Sequence, residues 1–171
     1  MSRPARAIGA LPLRAEPLTR EAFAPFGEVL QCDGARQFPI NAGTTTRYHD
    51  LARIEAHGDE ARVIFSLFEA QAWHTPVQIQ LLERHPLGSQ AFFPLDGASM
   101  LIVVAEPGEL DERTIRAFIS AGDQGVNYAA GVWHHPLLCL QRAGRFVVID
   151  RAGSGLNQEE RRLRVLREIC V

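Results

Sequence analysis

The sequence contains no lysine: all 18 residues in its Lys and Arg total are arginines. This absence excludes Schiff-base catalysis, a phosphate-loop lysine and a lysine general base. The guanidinium groups that remain suit the bidentate capture of carboxylates or phosphates. A genome whose codons favour arginine is the simpler explanation of the bias, so the count by itself assigns no function.

Cysteines and long apolar runs are also scarce. The three cysteines, Cys32, Cys139 and Cys170, show no CxxC spacing, so we expect neither a disulfide framework nor a zinc ribbon. No window approaches the roughly 18–20 apolar residues of a membrane span. The net charge of −2 and the pI near 6.3 argue against nucleic acid as a partner. We therefore expect a cytoplasmic protein that binds neither nucleic acid nor membrane.

Short apolar runs follow one another from about residue 60 onward, separated by Gly, Pro, Asp or Asn. They predict strands at residues 62–68, 77–81, 91–93, 100–105, 115–119, 137–140 and 146–149. This many strands without helices between them indicates an all-β sandwich or barrel. Before them, we expect residues 1–16 to be a loose lead-in, Thr19 to cap a short helix, and residues 31–47 to form a long loop.

The end of the chain predicts a helix. Asn157 and Glu160 resemble a capping box, and an apolar stripe follows at helical spacing, made of Leu163, Leu166 and Ile169. The length suits one domain with a sizeable core. We therefore expect residues 1–171 to form a single all-β domain, a β-barrel with a few short helices that include a C-terminal one.

Polar residues are grouped on the predicted strands. Glu83 and His85 point to the same face because side chains alternate along a strand. Gln90 follows after a turn, on what should be the adjacent antiparallel strand, so the three groups can converge. His134 opens a later strand, and His135 should face the opposite way. A solvent-facing strand would show the same pattern, so these residues alone leave both a site and a solvated face open.

The spacing of these residues resembles the cupin superfamily. The run Glu83-x-His85-x4-Gln90-x6-Gly97 is similar to the first cupin motif, with Glu for the first His and Gln for the usual Glu. The run Gly131-x-x-His134 is similar to the second motif. Between about residues 18 and 153, six strings in order resemble the ureidoglycolate lyase family of allantoin degradation. They span residues 47–51, 82–92, 116–119, 124–128, 133–137 and 149–151.

The resemblance implies a cupin-like jelly roll that cleaves ureidoglycolate to glyoxylate and urea. It implies catalytic roles for Glu83, His85 and His134 as base, acid or ligands, and for Gln90 as a ligand or hydrogen-bond donor. The candidate substrate-binding residues are Arg47, Tyr48, Gln90, Arg116, Tyr128 and Arg151. An arginine should hold the substrate carboxylate. His49, beside an aspartate, is either an oriented proton shuttle or part of a surface strand.

The same resemblance bears on the cofactor and the assembly. One carboxylate, two imidazoles and an amide oxygen, from Glu83, His85, His134 and Gln90, form a ligand set for a divalent ion such as Ni, Mn or Zn. No organic cofactor is expected. The family implies a homodimer that acts on a small-molecule substrate. Three other functions stay open: an amidohydrolase that releases ammonia from ureidoglycolate, a metabolite-binding cupin without catalysis, and a cupin isomerase or dioxygenase.

Overall fold

The computed structural model describes residues 9–171, and the all-β prediction is confirmed there. The strands are β1 (Leu11–Pro12), β2 (Ala15–Pro17), β3 (Gly27–Leu30), β4 (Gln37–Ile40), β5 (Thr45–Tyr48), β6 (Arg62–Ala70), β7 (Ala72–Trp73), β8 (Val77–Arg84), β9 (Gln90–Pro94), β10 (Met100–Ala105), β11 (Arg116–Ile119), β12 (Gly125–Tyr128), β13 (Trp133–His134), β14 (Leu138–Leu140), β15 (Gly144–Ala152) and β16 (Glu159–Ile169). One α-helix, α1, spans Arg20–Phe23, and short 3-10 turns span Asn41–Gly43 and Glu112–Thr114.

The strands form two large sheets and one hairpin. The nine-stranded sheet has the order β1-β16-β8-β13-β10-β11-β2, with β14 attached to β10 and β7 attached to β14. The five-stranded sheet has the order β3-β12-β9-β15-β6, and β4 pairs with β5. Within residues 9–171 the ladder of the five-stranded sheet stops at β3 and β6. The expected closed barrel is therefore corrected to two open sheets, because neither edge strand pairs with the other sheet.

Strand β10 is buried on both faces, which explains why its sequence is a continuous apolar run. Its even-numbered residues, such as Ile102, pack in a core cluster with Phe92 and Phe146 of the five-stranded sheet. Its odd-numbered residues, such as Val103, pack in a second cluster with Ile79 of β8. A fully buried aliphatic or aromatic side chain contributes roughly 1.5–3 kcal/mol. The first cluster therefore holds the two sheets together and shapes the space between them.

The predicted C-terminal helix is wrong, because residues 159–169 form strand β16. This strand pairs antiparallel with β8, with an irregularity in register between Arg162 and Arg167. The expected helix cap is used differently: the Asn157 side-chain oxygen accepts a hydrogen bond from the Leu87 backbone N–H at 2.8 Å. Pairing along β8 thus outweighs the local helical pattern, as tertiary contacts do for weak propensities.

The N-terminal part of the chain is more ordered than its composition suggests. Residues 1–8 of the expected lead-in lie outside the described residues, whereas β1 pairs with β16 and β2 with β11. The predicted cap of α1 is confirmed, since the Thr19 hydroxyl accepts from the Ala22 N–H at 3.2 Å. The expected long loop at residues 31–47 contains the β4–β5 hairpin instead. No helix in residues 9–171 has the length and apolar character needed to cross a membrane.

Candidate active site

Polar side chains from both large sheets meet at one place. Glu83 of β8 lies directly opposite His134 of β13 in the ladder. His85 lies two residues beyond Glu83, on the same face. In the other sheet, Gln90 opens β9 opposite Tyr128 of β12. We call Glu83, His85, Gln90 and His134 the polar cluster.

The side chains of the polar cluster approach one another through nitrogen and oxygen atoms that carry lone pairs. His134 Nε2 lies 3.2 Å from Gln90 Oε1 and 3.7 Å from Glu83 Oε1. His85 Nε2 lies 4.0 Å from the same Glu83 oxygen. The ligand atoms of Glu83, His85 and His134 all lie within 4.8 Å of one another. The predicted convergence of these side chains is thus present in the fold.

Backbone carbonyls select the tautomer of both histidines. His134 Nδ1 lies 3.0 Å from the Val132 carbonyl oxygen, and His85 Nδ1 lies 2.7 Å from the Asn157 carbonyl oxygen. A carbonyl only accepts, so each Nδ1 carries the proton and each Nε2 presents a lone pair. His85 Nε2 is buried and has no hydrogen-bond partner. Both imidazoles are therefore oriented as metal ligands commonly are, with the far nitrogen hydrogen-bonded.

The donor set fits a divalent cation. Two imidazole nitrogens, a carboxylate oxygen and an amide oxygen face one another, and none of these atoms brings a proton into the space between them. Without a positive centre such atoms repel, whereas imidazole and carboxylate ligands suit borderline divalent metals. The polar cluster is thus a candidate metal-binding group formed by Glu83, His85, His134 and Gln90.

Burial sets the protonation of the polar cluster. His134 is fully buried, and this burial lowers its pKa to about 3, with smaller contributions from His85 and His135, against the opposing hydrogen bond to Val132. Burial also raises the pKa of Glu83, while His85 and a hydrogen bond from the Gln158 side chain lower it. His134 is therefore neutral near pH 7, which excludes an imidazolium at this position.

An aromatic ring stiffens the cluster from the side of the five-stranded sheet. The rings of Tyr128 and His134 stack at a centroid distance of 4.3 Å and an interplanar angle of 9°. Burial, with the nearby charge of Glu83, raises the pKa of the Tyr128 hydroxyl well above its usual range. Tyr128 therefore stays neutral and acts on the cluster through its ring.

A pocket of about 340 Å³ opens beside the polar cluster. It is lined by His85, Ser89, Gln90, Asp150, Arg151, Gly155, Leu156, Asn157 and Gln158. Its volume lies at the lower end of the range for small-molecule sites. The pocket therefore suits a small polar metabolite.

Two charged residues of β15 form one wall of this pocket. Burial raises the pKa of the Asp150 carboxyl, and hydrogen bonding from the Gln90 side chain beside it acts in the opposite direction. Asp150 Oδ1 is buried and has no hydrogen-bond partner. The Arg151 guanidinium donates to the carbonyls of His57 at 2.7 Å and Ser154 at 2.6 Å. The wall thus offers one acceptor oxygen and one anchored cation.

The comparison with known families agrees with this site. The sequence model described as ureidoglycolate lyase matches residues 10–169. The chain belongs to the ureidoglycolate lyase family. A ureidoglycolate lyase from Burkholderia mallei is 53% identical over 151 residues, which cover 88% of this chain and 89% of that protein. A ureidoglycolate lyase from Brucella ovis is 53% identical over 148 residues, covering 86% of this chain and 88% of that protein.

Among solved structures, RmlC from Streptococcus suis in complex with dTDP-D-xylose matches with a TM-score of 0.43 and 11% sequence identity. The match covers 56% of this chain and 46% of that chain.

Only some of the residues expected to bind substrate lie at the pocket of this member of the ureidoglycolate lyase family. Arg151 lines the pocket and Tyr128 stacks within the cluster. Arg47 and Tyr48 lie exposed on β5 of the hairpin. The Arg116 guanidinium lies 3.1 Å from a Glu16 carboxylate oxygen and donates to the Ala22 carbonyl at 3.0 Å. The structure therefore brings two of the six candidates, Gln90 and Arg151, to the pocket, places Tyr128 in the neighbouring cluster and gives Arg116 other partners.

Neighbouring residues that the sequence set aside lie elsewhere. Arg84 turns away from the cluster, packs over the Trp133 ring at 4.5 Å and pairs with Glu159 at 2.8 Å. His135 Nδ1 lies 2.8 Å from the Pro136 carbonyl. His49 packs edge-on against Phe38 of the hairpin, with ring centroids 5.5 Å apart.

Six of the pocket's lining residues were not predicted as site residues, and three of them have polar side chains that bear on the site: Asp150, Asn157 and Gln158. A signal for Asp150 was present, because it continues the core face of β15 two residues after Val148. An acidic residue at a position where the core face continues is costly unless it has a partner or a task. The other two act from the segment before β16, where Gln158 donates to Glu83 at 3.1 Å. Such loop contacts leave no periodic pattern.

Proposed function

We propose that this chain cleaves ureidoglycolate to glyoxylate and urea, in the breakdown of allantoin and of purine nitrogen. The observation that carries the proposal is a 53% identical relative named ureidoglycolate lyase, aligned over 88% of this chain. The Glu83, His85, Gln90 and His134 geometry supports it, because it places proton acceptors and metal-type ligands beside a pocket of metabolite size.

The substrate carbon bears a carboxylate, a hydroxyl and a ureido nitrogen, so cleavage needs three contacts. The hydroxyl must lose its proton while the C–N bond breaks, and the leaving nitrogen must gain one. The carboxylate must be held so that the bond points at these groups. Arg151 is the pocket cation suited to the carboxylate, and its hydrogen bonds to two carbonyls fix its direction.

Glu83, His85, His134 and Gln90 would hold a divalent ion such as Ni, Mn or Zn. When bound, this ion would supply Lewis-acid chemistry beside the pocket. The neutral state of His134 serves this role, since a protonated imidazole binds no metal.

Asp150 carries the proton in this proposal. Asp150 lines the pocket, and its buried Oδ1 has no hydrogen-bond partner, so this oxygen is free to accept the hydroxyl proton. The same oxygen then gives the proton to the ureido nitrogen as urea leaves. One proton moves from oxygen to nitrogen, one C–N bond breaks and one C=O bond forms, so no co-reactant is required.

The test is turnover of each ureidoglycolate enantiomer by purified protein, with and without added Ni, Mn or Zn, with urea and ammonia measured separately. We expect urea and glyoxylate. Ammonia without urea supports the amidohydrolase, and binding without turnover supports a metabolite-binding cupin. Oxygen consumption with stoichiometric iron supports a dioxygenase. Any of these three results contradicts the lyase.

The role of the polar cluster is tested by a matched pair of histidine variants. His134→Ala removes a fully buried member of the cluster, and we expect turnover to fall by at least about 100-fold. His74→Ala is the control, because His74 is exposed and lies outside both the cluster and the pocket lining. Circular dichroism and unfolding midpoints check that both variants fold. Equal losses in the two variants would contradict a role for the cluster in the reaction.

The remaining features of the proposal concern assembly and location. We propose a single cupin-type domain over residues 1–171 that forms a homodimer and takes a small molecule as its partner. A cytoplasmic location is supported by three free cysteines, of which Cys32 and Cys170 are exposed. Arg47, Tyr48 and Arg116 stay candidates for substrate binding, and their alanine variants test them through KM.

A further inference from the structure

Strand β6 is an edge strand with a large exposed apolar surface. It is nine residues long and pairs with β15 on one side; its other side has no strand partner within residues 9–171. Three apolar side chains on its outer face are largely exposed, Phe65 at 67%, Leu67 at 64% and Val63 at 50%. Phe68, on its inner face, is still 40% exposed.

The exposed side chains form one patch with their neighbours. In the ladder, Leu67 lies opposite Val147 of β15, and Val147 lies opposite Phe93 of β9, which is 36% exposed. We call Val63, Phe65, Leu67 and Phe93 the β6 patch. It follows the open edge of the sheet rather than a closed pocket, so its natural occupant is another strand.

The β6 edge lacks the devices that keep edge strands apart. Soluble proteins place charges, prolines, bulges or covering segments along such edges. Between Arg62 and Glu69, the residues of β6 are uncharged and contain no proline. The β6–β15 register runs through all nine positions without a shift. An apolar edge of this length, without a bulge, favours pairing with a copy of itself.

We propose that two copies of this chain associate through their β6 strands, which pair antiparallel about a two-fold axis at Ser66. The inference rests on the proposed homodimer and names its surface. Residues that oppose each other in an antiparallel ladder share a face, and a two-fold axis perpendicular to the sheet keeps the faces in place. A residue of one copy can therefore oppose only a residue of the second copy whose number differs from its own by zero or an even number. Ser66 is the middle residue of β6, so an axis at Ser66 lets all nine residues of the strand pair.

This register is self-complementary. On the outer face, Phe65 opposes Leu67 of the second copy, and the reverse pair forms on the other side of the axis. On the inner face, Ile64 opposes Phe68 of the second copy, and Ser66 opposes itself. Apolar side chains thus meet apolar side chains at every central position except the axis, where two hydroxyls can exchange a hydrogen bond.

The exposed apolar surface accounts for part of a standard dimer interface. An aromatic side chain has a surface of about 150–250 Å². Taken with the exposed fractions of its side chains, the β6 patch together with Phe68 exposes on the order of 400 Å² per copy. That is about half of the roughly 800 Å² that each partner buries in a standard interface, and the backbone edge and flanking side chains add to it. The interface also lies close to the pocket, because Ile64 of β6 opposes Asp150 of β15 in the ladder.

Charge variants test the register. Phe65→Glu and Leu67→Arg each place a charge against an apolar residue of the second copy, and both side chains are mostly exposed, so the fold is retained. We expect each to raise the dimer dissociation constant by at least about 100-fold in sedimentation equilibrium. The double variant sets the introduced carboxylate opposite the introduced guanidinium on both sides of the axis, and we expect it to restore dimers. Leu11→Arg, a control on β1 at 50% exposure, should change nothing.

A cross-link tests the axis itself. In a chain with Cys32→Ser and Cys170→Ser, Ser66→Cys places two thiols opposite each other at a Cα separation of about 4.5–5.5 Å, within reach of a disulfide. A mild oxidant should give a covalent dimer, whereas Leu11→Cys should stay monomeric under denaturing conditions. A monomeric protein at micromolar concentration would overturn both the homodimer and this interface. A dimer unaffected by these variants would overturn the interface alone, and turnover by the unaltered protein reports on the reaction separately.

Discussion

The orientation of the Gln90 amide depends on Asp150, and this dependence can be measured through metal binding. Gln90 Oε1 faces His134 Nε2 at 3.2 Å, while the amide N–H at the other end donates to the Asp150 carboxylate. An ionised carboxylate only accepts hydrogen bonds, so it forces the N–H end towards itself and the oxygen towards the cluster. We predict that Asp150→Asn weakens the binding of a divalent metal at the cluster.

The size of the effect follows from the hydrogen bond that is lost. A hydrogen bond to a charged group contributes about 1.5–3 kcal/mol and a neutral one about 1 kcal/mol, so the preference for the correct amide orientation falls by about 1–2 kcal/mol. This predicts a metal dissociation constant raised about 10-fold, at the lower end of the 10–100-fold range typical of residues that orient metal ligands.

Calorimetric titration of the chelator-treated protein with Ni²⁺ measures this constant. Asp150→Asn also removes a negative charge near the cation, so a double-mutant cycle with Gln90→Ala separates the two effects. The charge effect persists when Gln90 is absent, whereas the orientation effect disappears. We expect a coupling of about 1 kcal/mol between the two substitutions. Strictly additive losses would refute the orienting role of Asp150, and an unaltered protein that binds none of Ni, Mn or Zn would refute the metal assignment.

Two further predictions concern stability and the pocket wall. The folded pKa of His134, about 3, lies below the unfolded value of 6.5, so its contribution to stability is complete above pH 6.5 and is lost as the pH falls towards 3. Between pH 7 and 5, His134 should account for a loss of about 2 kcal/mol in the unfolding free energy of the chelator-treated protein. Urea unfolding should therefore show a loss smaller by about this amount in His134→Gln than in the unaltered protein. Arg151→Lys should lower the free energy of unfolding by about 2–3 kcal/mol, because a lysine cannot reproduce the forked contacts to the carbonyls of His57 and Ser154. The same substitution should raise KM more than it lowers kcat, and an unchanged KM in steady-state kinetics would contradict a carboxylate-binding role.

The sequence predicted the parts of this fold that depend on alternation along strands. The run of β10 was predicted with its observed bounds, and the shared face of Glu83 and His85 followed from their spacing. Alternation allowed only one of His134 and His135 to join them, the resemblance to the second cupin motif favoured His134, and the ladder places His134 opposite Glu83. Period-two patterns carry this information because each residue's face is set by its position in the strand.

The parts that failed depend on partners distant in the chain. Residues 159–169 have a helical apolar stripe, yet β8 offers an open ladder, and pairing with it buries Ile169 completely. The capping residue Asn157 has its own distant partner, the Leu87 N–H. Local signals of this kind predict the structure that a segment would adopt alone. Whether the segment becomes a strand depends on the neighbouring strand with which it can pair.

The pocket wall depends on an arginine that lysine could not replace, which ties the absence of lysine in the composition to the site. Arg151 is 7% exposed and bridges the carbonyls of His57, Gly153 and Ser154, which belong to two segments beside the pocket. Its five donors satisfy these oxygens and still leave N–H groups for a substrate carboxylate, whereas the three donors of a lysine ammonium would be consumed by the same carbonyls. Whatever produced the bias towards arginine, the pocket wall uses a property that lysine lacks. The same cation can therefore order the loops and bind the substrate, which links the stability of this wall to KM.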